Sequence, residues 1–238
     1  MSETVTASPA SLPSALESRF DADTASKLVE LRRALHADPE LSWKEERTVE
    51  KLTSALAAFG ITDVQRVART GLVARIAGRD RSAPVVAVRG DIDALPITEA
   101  TGLPFASGNA GVMHACGHDV HATWAVGAAR LLAERPAAGD VLVVFQPAEE
   151  LGEGAREVMA SGALSDVRAI FGGHVDRRFE VGQIVAQTGP LAASSRVAAP
   201  YVGAKGKPGG PVRFDMSGRL LGSWQKTVPG DPLRAVNR

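Results

Sequence analysis

Three short, mainly apolar runs, 84–89, 140–145 and 167–172, each end in a polar cluster. In the first two, apolar character sustained over so few residues marks a strand covered on both faces; the last is read as a third strand. Between them lie two stretches of helical character, an Ala-rich one over 121–133 and a shorter one over 154–161. Parallel strands need long crossovers. This rhythm therefore predicts an α/β fold, with a mostly parallel central sheet flanked by helices. Upstream, Leu28, Leu31 and Leu35, then Val49, Leu52, Leu56 and Phe59, recur at helical spacing. They predict two helices between 24 and 59, separated at Asp38 and Pro39 and stopped at Gly60. Short strands are expected at 64–67 and 72–76.

Ligands of open α/β sheets bind beyond the C-terminal ends of the strands. All the polar clusters fall there. The first run leads into Asp91 and Asp93, which at i, i+2 on a strand face one side. They can orient ligating histidines, or simply close the strand as an Asx-turn. The stretch 113–121 holds His114, Cys116, His118, Asp119 and His121. Thiolate and imidazole suit zinc and other borderline divalent metals, and Cys116 and His118 flank a glycine that lets both face one ion. A Cys–His nucleophile pair is a second chemical reading, and a buried free thiol beside a surface histidine the plain one. The second run ends at Glu149 and Glu150. One carboxylate can bind metal while its neighbour acts as general base; such a pair is also an ordinary solvated helix start. The third run ends at His174. A lone histidine there is usually structural, and only its company at the same sheet edge makes it a candidate ligand.

Charge and cysteine count narrow the class. The chain has 238 residues, with 27 basic and 27 acidic side chains and a net charge of +0. That balance points to no nucleic-acid or membrane-surface partner. Cys116 is the single cysteine, so no internal disulfide forms. A single thiol suits a reducing, cytoplasmic location. The first 23 residues, rich in Ser, Thr, Ala and Pro, lack the basic and apolar regions of a secretory signal and are expected to be flexible.

Together the motifs resemble a known family. The segments are LRRALHADPELSWKEERT (31–48), VRGDIDALPITEATGLPFAS (88–107), GVMHACGHDVHATWAVGAARLLA (111–133), VLVVFQPAEELGEGAREVMASGAL (141–164) and AIFGGHVDRRFEVGQI (169–184). In this order they resemble the N-acyl-amino-acid amidohydrolases. That group includes hippurate hydrolases, indole-acetyl-amino-acid hydrolases and aminoacylases, within the two-metal aminopeptidase-like superfamily. The resemblance implies the N-terminal part of an aminopeptidase-like catalytic domain over 24–195. It implies Cys116, His118, Glu150 and His174 as metal ligands and Glu149 as general base. Asp91, Asp93, Asp119 and His121 would be supporting residues. It further implies two divalent ions (manganese, zinc, cobalt or nickel), an N-acyl amino acid substrate and amide hydrolysis by metal-activated water.

The likeness fades near Ser195. Residues 196–238 form an atypical tail rich in Gly, Pro and basic residues, with no histidine after His174. The tail is expected to be disordered apart from a weak strand at 220–224. Family members continue into a lid and dimerisation domain and often form homodimers; both that domain and a further metal-binding histidine are expected to be absent here. At most a partial metal site is then expected. The alternative function is a catalytically inactive truncated or frameshifted fragment that still binds metal, and a third is a thiol hydrolase using Cys116.

Overall fold

A computed structural model describes residues 19–175. The first helix, α1 (Ala22–Ala37), is opened by Asp21, whose carboxylate accepts the Thr24 backbone N–H at 2.7 Å. It ends before Pro39, where the chain must turn extended. The second, α2 (Glu46–Ala58), buries Val49, Leu52 and Leu56 along one stripe. Gly60 closes it at φ +76, donating to the Ala57 carbonyl while Ile61 donates to Leu56. This double bond is the Schellman closure that glycine permits.

Five strands follow: β1 (Val64–Val67), β2 (Gly71–Ile76), β3 (Val85–Asp91), β4 (Val141–Gln146) and β5 (Val167–Gly172). Helix α3 (His118–Glu134) links β3 to β4, and α4 (Gly154–Ala160) links β4 to β5. The sheet order is β1-β2-β4-β3-β5. Strands β4, β3 and β5 run parallel, as the rhythm predicts. The β1–β2 hairpin joins them with antiparallel pairings on the outer side of β4.

Alternation along the strands builds two cores. Leu72, Ala74, Ile76, Val141, Val143 and Phe145 face the layer of α1, α2 and α3. Val73, Ala87, Leu142 and Val144 face Val158 of α4. All six residues of β4 are buried, which is why its sequence reads as one apolar run. The α3 and α4 crossovers lie on opposite faces and run in opposite directions along the sheet, so both have the same hand. This arrangement leaves the C-terminal ends of β3, β4 and β5 side by side. Residues 176–238, including the expected strand at 220–224, lie outside the described residues, as do residues 1–18.

Candidate metal centre

Asp91 is the last residue of β3, and Asp93 lies two beyond it. Cys116 stands in the turn before α3; His118, Asp119 and His121 lie in that helix's first turns. Glu149 and Glu150 follow β4, and His174 follows β5. Every predicted site residue thus sits at one sheet edge or on the helix start above it.

Their contacts converge on His118. Its Nδ1 meets Asp93 Oδ1 at 3.2 Å. Its Nε2 faces Asp91 Oδ2 at 3.6 Å, Glu150 Oε1 at 3.7 Å and Glu149 Oε2 at 3.8 Å. Cys116 Sγ lies 3.3 Å from His174 Nε2. In the trio Cys116, His118 and His174, and in the trio His118, Glu149 and Glu150, one donor atom per residue lies within 4.8 Å of the others. The four predicted ligands therefore form two groups sharing His118.

Two observations test whether this set fits an ion. Among the described residues, His118 Nε2 and Glu150 Oε1 are buried without a hydrogen-bond partner. Buried polar atoms are normally satisfied, so two orphans aimed at one space ask for a ligand. The donors are thiolate, imidazole and carboxylate, the set that zinc and its neighbours take. The residues fit a divalent ion.

The local charge pattern points the same way. Burial opposes a charged His118, yet the Asp93 hydrogen bond, the nearby Cys116 sulfur and the charges of Asp91 and Asp93 push it up to about 11. Burial also pushes Glu149 up, helped by the Asp91 charge. Asp91 feels the same burial, but the His121 hydrogen bond and the Arg89 charge hold it below the usual carboxylate range. The pocket is electron-rich, and a cation relieves it.

The loop carrying the two glutamates is built tightly. Asp93 Oδ2 accepts the Glu150 backbone N–H at 3.0 Å and the Ser42 hydroxyl at 2.6 Å. Glu45, fully buried, accepts the Ala148 N–H at 2.8 Å. Ala148 has φ +46, a left-handed conformation that alanine adopts at a cost, so the Glu45 bond fixes a strained link just before Glu149. Ser42, Glu45 and Arg89 carried no sequence signal. Their partners lie 51, 103 and 57 residues away for Asp93, Ala148 and Gln146.

Asp119 departs from this grouping. It lies in a different network, 2.8 Å from His36 Nδ1 and 2.9 Å from Arg32 Nε, which ties α3 to α1. His114 is also buried beside this network, and burial pushes its pKa down to about 4.

A family model described as peptidase family M20/M25/M40 matches residues 87–227, more than half of the chain. The chain belongs to that family. Among curated relatives, an N-acetylcysteine deacetylase of Bacillus subtilis is 48% identical over 172 residues, covering 71% of this chain and 45% of that protein. An Arabidopsis thaliana IAA-amino acid hydrolase, ILR1-like 6, is 43% identical over 176 residues, covering 73% and 38%. The solved Bacillus subtilis YXEP protein, described as a dinuclear metal binding peptidase from the M20 family, superposes with a TM-score of 0.69 at 46% identity. It covers 72% of this chain and 49% of its own. This M20 chain thus spans less than half the length of these relatives.

Proposed function

We propose that this chain carries the metal-holding part of an M20 hydrolase that cleaves the amide bond of N-acyl amino acids. The observation that supports it most is the pair of orphaned buried atoms, His118 Nε2 and Glu150 Oε1, facing one space beside Cys116 and His174. Cys116, His118, Glu150 and His174 hold the metal. A divalent ion bound there supplies Lewis acidity, acidifying water and polarising an acyl carbonyl. Glu149 takes the proton of the attacking water and returns it to the leaving amine. Burial and Asp91 raise its proton affinity, which suits a base that must also give the proton back. The relatives' names point to acylated amino acids such as N-acetylcysteine and IAA-amino acids as the substrate class.

The test is release of free amino acid from N-acetylcysteine and hippurate by the metal-loaded chain. Glu149→Gln is expected to lower turnover on the order of 10²–10⁴-fold while metal content stays unchanged. Chelator is expected to abolish turnover. Metal uptake without turnover supports the alternative, an inactive fragment that retains the site. Chelator-resistant activity destroyed by alkylation instead assigns the chemistry to Cys116.

Metal loading itself carries a pH signature. A ligating histidine must be neutral and a ligating cysteine a thiolate. Despite burial, the Asp93 hydrogen bond and the Asp91 and Asp93 charges raise His118 above the ordinary imidazole range, so binding near pH 7 is expected to displace its proton. Apparent affinity is therefore expected to rise with pH, about tenfold per unit for each proton displaced. Adding zinc to weakly buffered protein at pH 7 should acidify the solution; no acidification counts against His118 as a ligand.

A further inference from the structure

His121 shares the buried site but uses both ring nitrogens elsewhere. Its Nδ1 meets Asp91 Oδ1 at 2.6 Å, and its Nε2 accepts the Val175 backbone N–H at 3.0 Å. An Nε2 that accepts from a backbone amide has its lone pair engaged, so the proton sits on Nδ1 and is donated to Asp91. Asp91 is held in turn by Arg89, whose Nη1 lies 2.6 Å from Oδ2. Although Asp91, His118 and His121 are close enough to surround an ion, His121 has no lone pair left to give one.

The grip on Val175 bears directly on His174. The Val175 carbonyl lies 2.6 Å from His174 Nδ1, which donates to it and leaves Nε2 free to face the Cys116 sulfur. The same residue is pressed against the turn before α3, because a Cβ on Gly117 would stand 2.4 Å from Val175 Cγ2. We propose that His121 is a positioning residue: held by Asp91, it clamps the Val175 peptide and so sets the His174 imidazole against Cys116. This rests on the reading of Cys116 and His174 as metal ligands.

Cobalt titration of the full chain tests it, followed by the thiolate-to-cobalt charge-transfer band and by affinity against a competing chelator. An asparagine amide nitrogen stands where Nδ1 does; a glutamine amide oxygen stands where Nε2 does. His121→Asn therefore keeps the Asp91 bond and loses Val175, whereas His121→Gln keeps Val175. His121→Asn is expected to weaken cobalt about 10–100-fold and His121→Gln to stay within about threefold of the parent. In a His174→Ala background, His121→Asn should add little, because its effect passes through His174. Equal binding by His121→Asn and the parent overturns the proposal, as do losses that add in the double variant. If His121→Asn fails to fold, the glutamine variant decides: near-parent affinity supports the clamp, and a loss as large as that of His174→Ala overturns it. A parent chain that shows no thiolate band refutes the ligand reading itself, and the clamp falls with it.

Discussion

Gly154→Ala is expected to destabilise the chain severely, by about 3 kcal/mol or more, without abolishing its fold. A Cβ at this position would stand 1.5 Å from the Pro147 carbonyl oxygen and 2.7 Å from its carbon. Both atoms are backbone, so no side chain can swing aside. Gly154 also donates its N–H to the Ala148 carbonyl at 3.1 Å, which fastens the start of α4 across the glutamate loop. Relief means pulling that loop away from the helix, and the loop is pinned on its other side. The Ala148 N–H is held by Glu45, and Pro147 is packed against Gly71, where a Cβ would lie 2.9 Å from Pro147 Cδ. Overpacking a fitted site costs roughly 1–3 kcal/mol, and an overlap of this depth belongs at or above the upper end. Set against a typical stability of about 5–15 kcal/mol, that is a large share. Urea unfolding should show a markedly lower midpoint, and metal uptake should fall with it because Glu149 and Glu150 ride on the same loop. An unchanged midpoint would mean that the loop is not fixed as described.

The contrast between legible and hidden parts follows from range. Strand β4 announces itself because burial on both faces makes it apolar throughout; β3 and β5, only partly buried, still read as short, mainly apolar runs, and each cluster at their ends can be read locally. The pairing of β2 with β4 is hidden, since antiparallel partners so far apart in sequence leave no local trace: Leu72 faces Phe145. Helix α3 begins at His118, three residues before the apolar pattern at His121 suggests. Its N-cap is Gly117 at φ +85, with no side-chain bond, so the usual Ser, Thr, Asp or Asn start signal is missing. The same three residues put His118 and Asp119 on a rigid helix rather than a loop. The sequence also groups Asp119 with the other acids, but one helical step turns it toward Arg32 and His36. Cys116, His118, Glu149, Glu150 and His174 are legible as candidates because they are the residue types a metal site would draw on; Ser42 and Glu45 are not, because they support the cluster through ordinary hydrogen bonds from far along the chain.

Asp93→Asn removes a charge without changing size, and the loss of metal affinity should be disproportionate. Oδ1 takes the His118 ring at 3.2 Å, while Oδ2 takes the Ser42 hydroxyl and the Glu150 N–H. All three neighbours act as donors, and a carboxylate can serve them all. An asparagine offers one acceptor and one donor. With its NH₂ toward Glu150, it faces a backbone N–H that cannot accept, and the loop carrying the glutamates loses its anchor. With its NH₂ toward His118, it forces Nδ1 to accept, which places the ring proton on Nε2. That is the atom left buried and unpaired toward the centre, and once protonated it can no longer bind a cation. Either orientation damages the site. Cobalt or zinc affinity is therefore expected to fall about 10–100-fold, as when a partner orienting a metal-bound histidine is lost. Ser42→Ala should cost much less, because it removes one donor and leaves both carboxylate oxygens in place. Competition with a chelator of known affinity measures both variants. If Asp93→Asn binds metal as tightly as the parent, His118 is not oriented by Asp93, and the convergence of the glutamate loop and α3 on this carboxylate is only a matter of folding.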